Sequence, residues 1–276
     1  MRLCVVFLAR SLLFDHSSEL FSRQRAQSYR SDDDMSARYI WSGPMTAMGE
    51  DSYRFIIVAS QYFWWMLAQG LRLRYKIRAH RPDGLFEQKR EHCLILASSH
   101  KSFLDPWLIM LALKHRYFRS LVPVRILATQ TFEGKLSWLN WLKPLVKLIY
   151  RLAGVIELPP ENKSDGFHPE KIRGLLVALS HGDVVAIFPE GQIWRKQEPP
   201  IGEFAAGVIY LQRKSRAPIV PIAVWMSQRR WPRRQYVVRF GQPVHSPEQM
   251  EFDSAAAWLR ERVLELDGQI NKDEER

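Results

Sequence analysis

The stretch from His92 to Leu113 most limits what this chain can fold into. Cys93-Leu-Ile-Leu-Ala97 is a continuous apolar run, the pattern of a strand covered on both faces. Ser98 to Leu104 is polar and breaks the run. Asp105 then stands where a helix cap belongs, Pro106 at the first helical position, and an apolar helix follows. A strand covered on both faces needs neighbours, and the chain supplies them. Leu121–Ala128, Gly154–Leu158, Val184–Phe188, Ile219–Trp225 and Tyr236–Phe240 read as strands. Between and after them, Gly134–Ala153, Pro169–Ser180, Phe204–Arg213 and Ser254–Leu266 read as helices. This alternation predicts an α/β domain, a mostly parallel central sheet with helices on both faces.

The loop after the first of these strands decides where His100 lies. Five residues along an ideal helix is about 140° of rotation, so a helical His100 and Asp105 would face apart. With Asp105 as the cap, His100 is on a loop that can fold back. A carboxylate could then bond one imidazole nitrogen and fix the tautomer, leaving the other to take a proton from a hydroxyl. A capped helix beside an incidental surface histidine accounts for these residues equally well. A second strand, Val184–Phe188, runs straight into Pro189-Glu190-Gly191. That places a carboxylate and a flexible backbone at the carboxyl edge of the sheet, where open α/β sheets bind ligands.

Ser99-His100-Lys-Ser102-Phe-Leu-Asp105 resembles the first sequence block of the glycerolipid acyltransferases, the 1-acylglycerol-3-phosphate acyltransferases and their relatives. That block is His-x4-Asp, often with Asn before the His and Ser two residues after it. Ser102 matches, and Ser99 replaces the Asn. Phe188-Pro-Glu-Gly191 resembles the family's third block, Val220-Pro-Ile222 the fourth, and Phe240-Gly-Gln-Pro-Val244 the closing strand and turn. The blocks arrive in order between about residues 75 and 266. The resemblance implies acyl transfer from a thioester, acyl-coenzyme A or acyl-carrier protein, to a hydroxyl of a lysophospholipid or glycerolipid, with 1-acylglycerol-3-phosphate the leading acceptor. It implies His100 as general base, Asp105 as its orienting carboxylate, and Ser102, Glu190 and Gly191 beside the substrate, with Glu190 accepting from the acceptor hydroxyl.

The chain departs from the family at both of its usual phosphate-binding arginines. The slot in the second block falls on Pro160, and the residues after Gly191 are Gln192-Ile193-Trp194-Arg195 rather than Thr-Arg. Arg195 is the nearest replacement for a headgroup contact, with Lys196 and Lys163 close in sequence.

The chain of 276 residues carries 40 Lys plus Arg against 29 Asp plus Glu, a net charge of +11, and 10 Trp. Such a balance suits an anionic partner: a lipid surface, a phosphorylated substrate or nucleic acid. Two cysteines, Cys4 and Cys93, make neither a disulfide framework nor a zinc spacing. No Walker loop, dinucleotide fingerprint or His-Glu-x-x-His is present, so no nucleotide cofactor or metal is expected. A serine hydrolase using His100 and Asp105 lacks a Gly-x-Ser-x-Gly elbow. A basic lipid- or nucleic-acid-binding module without catalysis is the other rival. Arg229-Arg-Trp-Pro-Arg-Arg234 would serve it, although the same run reads as a loop between strands.

Residues 1–50 are expected to form a mobile arm, 51–74 a membrane-associated helix, 75–268 the acyltransferase domain and 269–276 a charged tail. Phe55 to Leu71 has no charged residue and is followed by Arg72, Arg74, Lys76 and Arg78. Its length is at the lower edge of a membrane span, and Gln61, Trp65 and Gln69 leave a polar stripe. That favours a helix lying in one leaflet, on the cytoplasmic face, over a full span or a buried core helix. Gly134–Ala153 gathers Trp138, Trp141, Leu145, Leu148 and Leu152 on one arc and Lys143, Lys147 and Arg151 on the other. Pro144 is expected to kink or divide it. This pattern suits an anionic bilayer surface or an ordinary domain helix.

Overall fold

The computed structural model describes residues 50–86, 93–129, 143–158, 172–194, 199–227 and 233–275. In chain order these form helix α1 (Glu50–Ala68), the single turn α2 (Leu71–Arg74), strand β1 (Tyr75–His80), β2 (Leu94–Ser98), helices α3 (Asp105–Ala112) and α4 (His115–Leu121), and β3 (Val124–Thr129). Then come α5 (Lys143–Leu152), β4 (Val155–Leu158), α6 (Arg173–Ser180), β5 (Val184–Ile187), α7 (Gly207–Ser215), β6 (Ile219–Met226), β7 (Arg234–Phe240) and α8 (Phe252–Glu275). The strands make one seven-stranded sheet in the order β1-β7-β6-β2-β5-β3-β4. Every pairing is parallel except β6 with β7. The expected α/β architecture is therefore the one observed.

β2 is buried throughout, as its unbroken apolar run requires. Its side chains alternate between two cores. Ile95 and Ala97 join Leu175, Leu179, Val208, Leu211 and Leu259 under α6, α7 and α8. Leu94 and Leu96 join Leu108, Ile109, Tyr117 and Phe118 under α3 and α4 on the other face, with Tyr62 and Trp65 of α1 packed against them. Because β2, β5 and β6 run parallel, the loops after all three open at one edge of the sheet.

Three elements differ from the sequence reading, and a fourth is described only in part. β1 lies where a basic flank was read. Its exposure alternates, with Lys76 and Arg78 outward, as suits an edge strand. The strand expected over Leu121–Ala128 is preceded by the helix α4 and begins only at Val124. Pro123 lies between them, and a residue before proline is disfavoured in helical geometry. α5 is described from Lys143 to Leu152, with Pro144 its second described residue; residues 134–142 of the expected helix lie outside the described residues. Finally, α8 continues through the expected tail to Glu275. Ile270 there is buried, and Asp273 forms an ion pair with Arg239.

The polar stripe expected on α1 faces inward. Gln61 donates through Nε2 to Val124 O at 2.6 Å and Ala153 O at 2.9 Å, and Val124 N donates to its Oε1 at 3.0 Å. One amide thus satisfies backbone groups at the first residue of β3 and just before β4. Trp65 stacks on Phe118 with ring centroids 5.3 Å apart, and Ile57 is fully buried. The outward face holds Phe55, Phe63, Met66 and Leu67, each more than half exposed. Among the described residues no helix is long and apolar enough to cross a membrane.

Candidate active site

β2 ends at Ser98, and the next residues turn across the carboxyl edge of the sheet. Ser99 N donates to Ile222 O at 3.1 Å, and Val224 N donates to Ser99 Oγ at 3.0 Å, so the loop leaves from a fixed point on β6. His100 Nδ1 lies 2.9 Å from Asp105 Oδ2. The fold-back that the loop permitted is present, and the isolated surface histidine is not.

Asp105 does not cap α3. It is the first helical residue, preceded by Leu104 in right-handed helical geometry, and its side chain turns back over the loop. Oδ2 accepts from Lys101 N at 2.6 Å and Ser102 N at 2.7 Å as well as facing the imidazole. Oδ1 accepts from Tyr236 Oη at 2.8 Å. The carboxylate is wholly buried and is the hub of the loop. A cap would have spent those lone pairs on the helix's own N–H groups instead.

The rest of His100 is held as firmly. Its backbone N donates to Glu190 Oε1 at 2.9 Å, and its carbonyl accepts from Trp194 N at 2.7 Å. Its ring lies against Phe188, centroids 4.2 Å apart and 26° from parallel. Glu190 Oε2 accepts from Gly202 N at 3.3 Å, so this carboxylate joins the His100 loop to the segment around residue 202. Burial lifts the Glu190 carboxyl above its ordinary range, although the two backbone N–H groups and Lys101 pull the other way. A Cβ on Gly202 would stand 2.7 Å from the Trp194 ring and 3.2 Å from Glu190 Oε2. Only glycine lets the backbone come this close. Arg260 of α8 clasps the same segment, donating to Gly202 O at 2.8 Å and Ile201 O at 2.9 Å, and Lys101 Nζ donates to Pro200 O.

With Nδ1 committed to Asp105, Nε2 is the ring nitrogen without a partner among the described residues. His100 lines a cavity of about 530 Å³ that runs beneath α1 and α5, walled largely by apolar and aromatic side chains, among them Trp64, Trp107, Ile126, Leu127 and Ile149. Gly191, Gln192 and Ile193 line it too. Gly191 has φ +67°, in the left-handed region that favours glycine. The model of the family described as Acyltransferase matches residues 76–225, more than half the chain. The chain belongs to the acyltransferase family. It is also similar to the crystal structure of the 1-acyl-sn-glycerophosphate (LPA) acyltransferase PlsC from Thermotoga maritima, with 14% identity over 79% of this chain and 82% of that one and a TM-score of 0.49.

In this acyltransferase the fold brings His100, Asp105, Glu190 and Gly191 to one place. Ser102 is beside them, but its groups serve the turn: N donates to Asp105, and Oγ accepts from Leu104 N at 3.3 Å. Arg195, Lys163, Lys196 and Pro160 lie outside the described residues. Ile193, the slot that the third block usually gives to arginine, presents an apolar side chain to the cavity. Sequence reasoning missed Phe188 as the stacking surface, Gly202 as the required gap and Tyr236 as a partner of Asp105. Tyr236 and Arg260 stand beyond the family match. The one sequence signal for Tyr236 was a phenol in line with Val238 and Phe240, two apolar residues on the same face of the strand.

Proposed function

We propose that this acyltransferase moves a fatty acyl group from an acyl thioester, acyl-coenzyme A or acyl-carrier protein, to a hydroxyl of a lysophospholipid or glycerolipid, with 1-acylglycerol-3-phosphate as the first acceptor to test. One observation carries the reading: a histidine with Nδ1 held by a buried carboxylate opens onto an apolar cavity of about 530 Å³, within the range of about 300–1,000 Å³ usual for small-molecule sites. His100 Nε2 takes the proton of the acceptor hydroxyl as its oxygen attacks the thioester carbonyl. Asp105 stabilises the imidazolium that forms. The tetrahedral intermediate then collapses, the carbon–sulfur bond breaks, and the imidazolium returns the proton to the leaving thiolate. No covalent enzyme intermediate is needed. Glu190 and Gly191 shape the mouth where the acceptor enters, and the cavity takes the acyl chain. Ile193 favours an acceptor that is not held by a guanidinium at that slot, leaving a headgroup phosphate to Arg195 or removing the need for one.

Purified protein incubated with a panel of lysolipids and both donor types, with products identified by mass, tests this. A diacylated product from one acceptor class is expected. Free fatty acid as the only product would replace transfer with hydrolysis.

The lipid substrate and the outward face of α1 together support attachment to the cytoplasmic face of a membrane. Phe63, Met66 and Leu67 are exposed, and Arg72 and Arg74 follow them at the surface. Apolar burial is insensitive to salt, whereas each basic group near an anionic surface contributes about 1 kcal/mol that salt screens. Sedimentation with anionic vesicles should therefore fall in high salt without vanishing. Because α1 also covers the core, removing it would expose Phe118 and Val124. Serine at Phe63, Met66 and Leu67 is the cleaner test. This triple variant should lose the salt-resistant fraction and keep turnover on a detergent-dispersed acceptor. Unchanged sedimentation of the variant would sink the membrane role of α1.

A further inference from the structure

We propose that Tyr236 is a positioning residue of the catalytic pair: its phenol holds Asp105 in one orientation and, through it, sets how readily His100 takes a proton. This rests on the acyl-transfer reading of His100.

The antiparallel strand makes the contact possible. β7 runs against β6, so the start of β7 lies beside the end of β6, with Tyr236 paired to Met226. That end is the carboxyl edge of β2 and β5, where His100 sits. A residue 131 positions from Asp105 in sequence thereby reaches it at 2.8 Å. Were β7 parallel to β6, its first residues would lie at the opposite edge.

The division of bonds on Asp105 gives the phenol its weight. Three N–H groups crowd Oδ2, whereas Tyr236 Oη is the donor to Oδ1. Donors on both oxygens fix the plane of the carboxylate, and with it the line along which Oδ2 meets the imidazole. Tyr236 is fully buried, among Ile222, Val224 and Val238 on the same side of the sheet. A phenylalanine would fill this volume as well, so packing does not account for the hydroxyl. Burial and the adjacent Asp105 charge push the phenol far above its ordinary range. It therefore stays protonated and donates throughout the working pH of the enzyme.

The sign of the effect follows from charge. Removing the phenol O–H leaves more negative charge on Oδ2, which favours the imidazolium. His100 must be neutral to act as base, so the acid limb of the rate profile moves to higher pH. In Tyr236→Phe the His100 titration, followed by the ring C–H resonances in NMR, should rise by about one pH unit, the scale of one hydrogen bond to a charged group. The acid limb of kcat/KM should follow, with a plateau lowered about tenfold by looser orientation. Site-specific 3-fluorotyrosine at 236 keeps the packing and donates more strongly, so it should move both quantities the other way.

Loss of thermal stability in Tyr236→Phe with an unmoved titration and an unmoved acid limb would reduce Tyr236 to a packing residue and overturn the proposal. So would shifts of the same sign in the two variants. If Tyr236→Phe does not fold, the fluorotyrosine protein decides: no shift in its His100 titration overturns the coupling. A shifted titration in a protein whose His100→Ala variant still turns over would remove His100 as the base of acyl transfer while leaving the coupling of Tyr236 to His100 intact.

Discussion

Replacing His100 with alanine should lower acyl transfer by about 10²–10⁴-fold, the contribution of a positioned general base, and should leave the fold in place. The backbone bonds from His100 to Glu190 and Trp194 do not involve the imidazole. Asp105 keeps three of its donors, Lys101 N, Ser102 N and Tyr236 Oη. What is lost is a ring stacked on Phe188 at the wall of a cavity, a site that water can refill. Thioester cleavage should fall with product formation, since no other group takes the proton. Initial rates across pH, with thermal unfolding on the same samples, check both halves. Wild-type turnover in this variant would refute the mechanism. A trapped acyl-enzyme on a serine would revive the hydrolase reading.

The fold was legible wherever burial alone dictates residue type. The apolar run of β2, the one ending at Ile187 and the one from Ile219 are all core strands, because a strand covered on both faces has no polar positions to confuse the pattern. β1 was harder for the opposite reason. Its Lys76 and Arg78 are the solvent side of an edge strand, and beside Arg72 and Arg74 they read as a charge cluster rather than as alternation.

Gln61 shows the limit most clearly. On a helical wheel a lone amide in an apolar helix marks the wet side, yet here it is the dry side, because the starts of β3 and β4 leave backbone groups that need a partner. No local pattern encodes that. The candidate site divides the same way. His100 and Glu190 were visible because each sits just past a strand, and Asp105 because it stands with Pro106 at the head of an apolar helix. Tyr236 and Gly202 act through contacts 131 and 12 residues away in sequence, and spacing carries no trace of them.

Asp105→Ala should be the most damaging single change, in stability as well as rate. As a helix cap, Asp105 would cost about 1 kcal/mol to remove. Its observed role predicts more. The carboxylate is fully buried, and alanine strands Lys101 N, Ser102 N and Tyr236 Oη around an empty volume. Each orphaned buried donor costs about 1–3 kcal/mol; with some relaxation of the loop, a loss of about 3–5 kcal/mol is expected, as when a buried charge pair is broken. Asp105→Asn separates the two effects. The amide fits the same space. With its oxygen in the place of Oδ2 it still accepts from Lys101 N, Ser102 N and His100 Nδ1, and its NH₂ donates to Tyr236 Oη, so most stability should return. What it removes is the negative charge that stabilises the imidazolium. Turnover should therefore drop by about 10²–10⁴-fold, the range of general-base assistance. Because both residues serve one proton transfer, the His100→Ala, Asp105→Asn double variant should be no slower than the slower single one. Urea unfolding of the three proteins, set beside their rates, tests the assignment. An Asp105→Asn enzyme that works at near wild-type rate, or a double variant in which the two losses multiply, would separate Asp105 from the chemistry of His100.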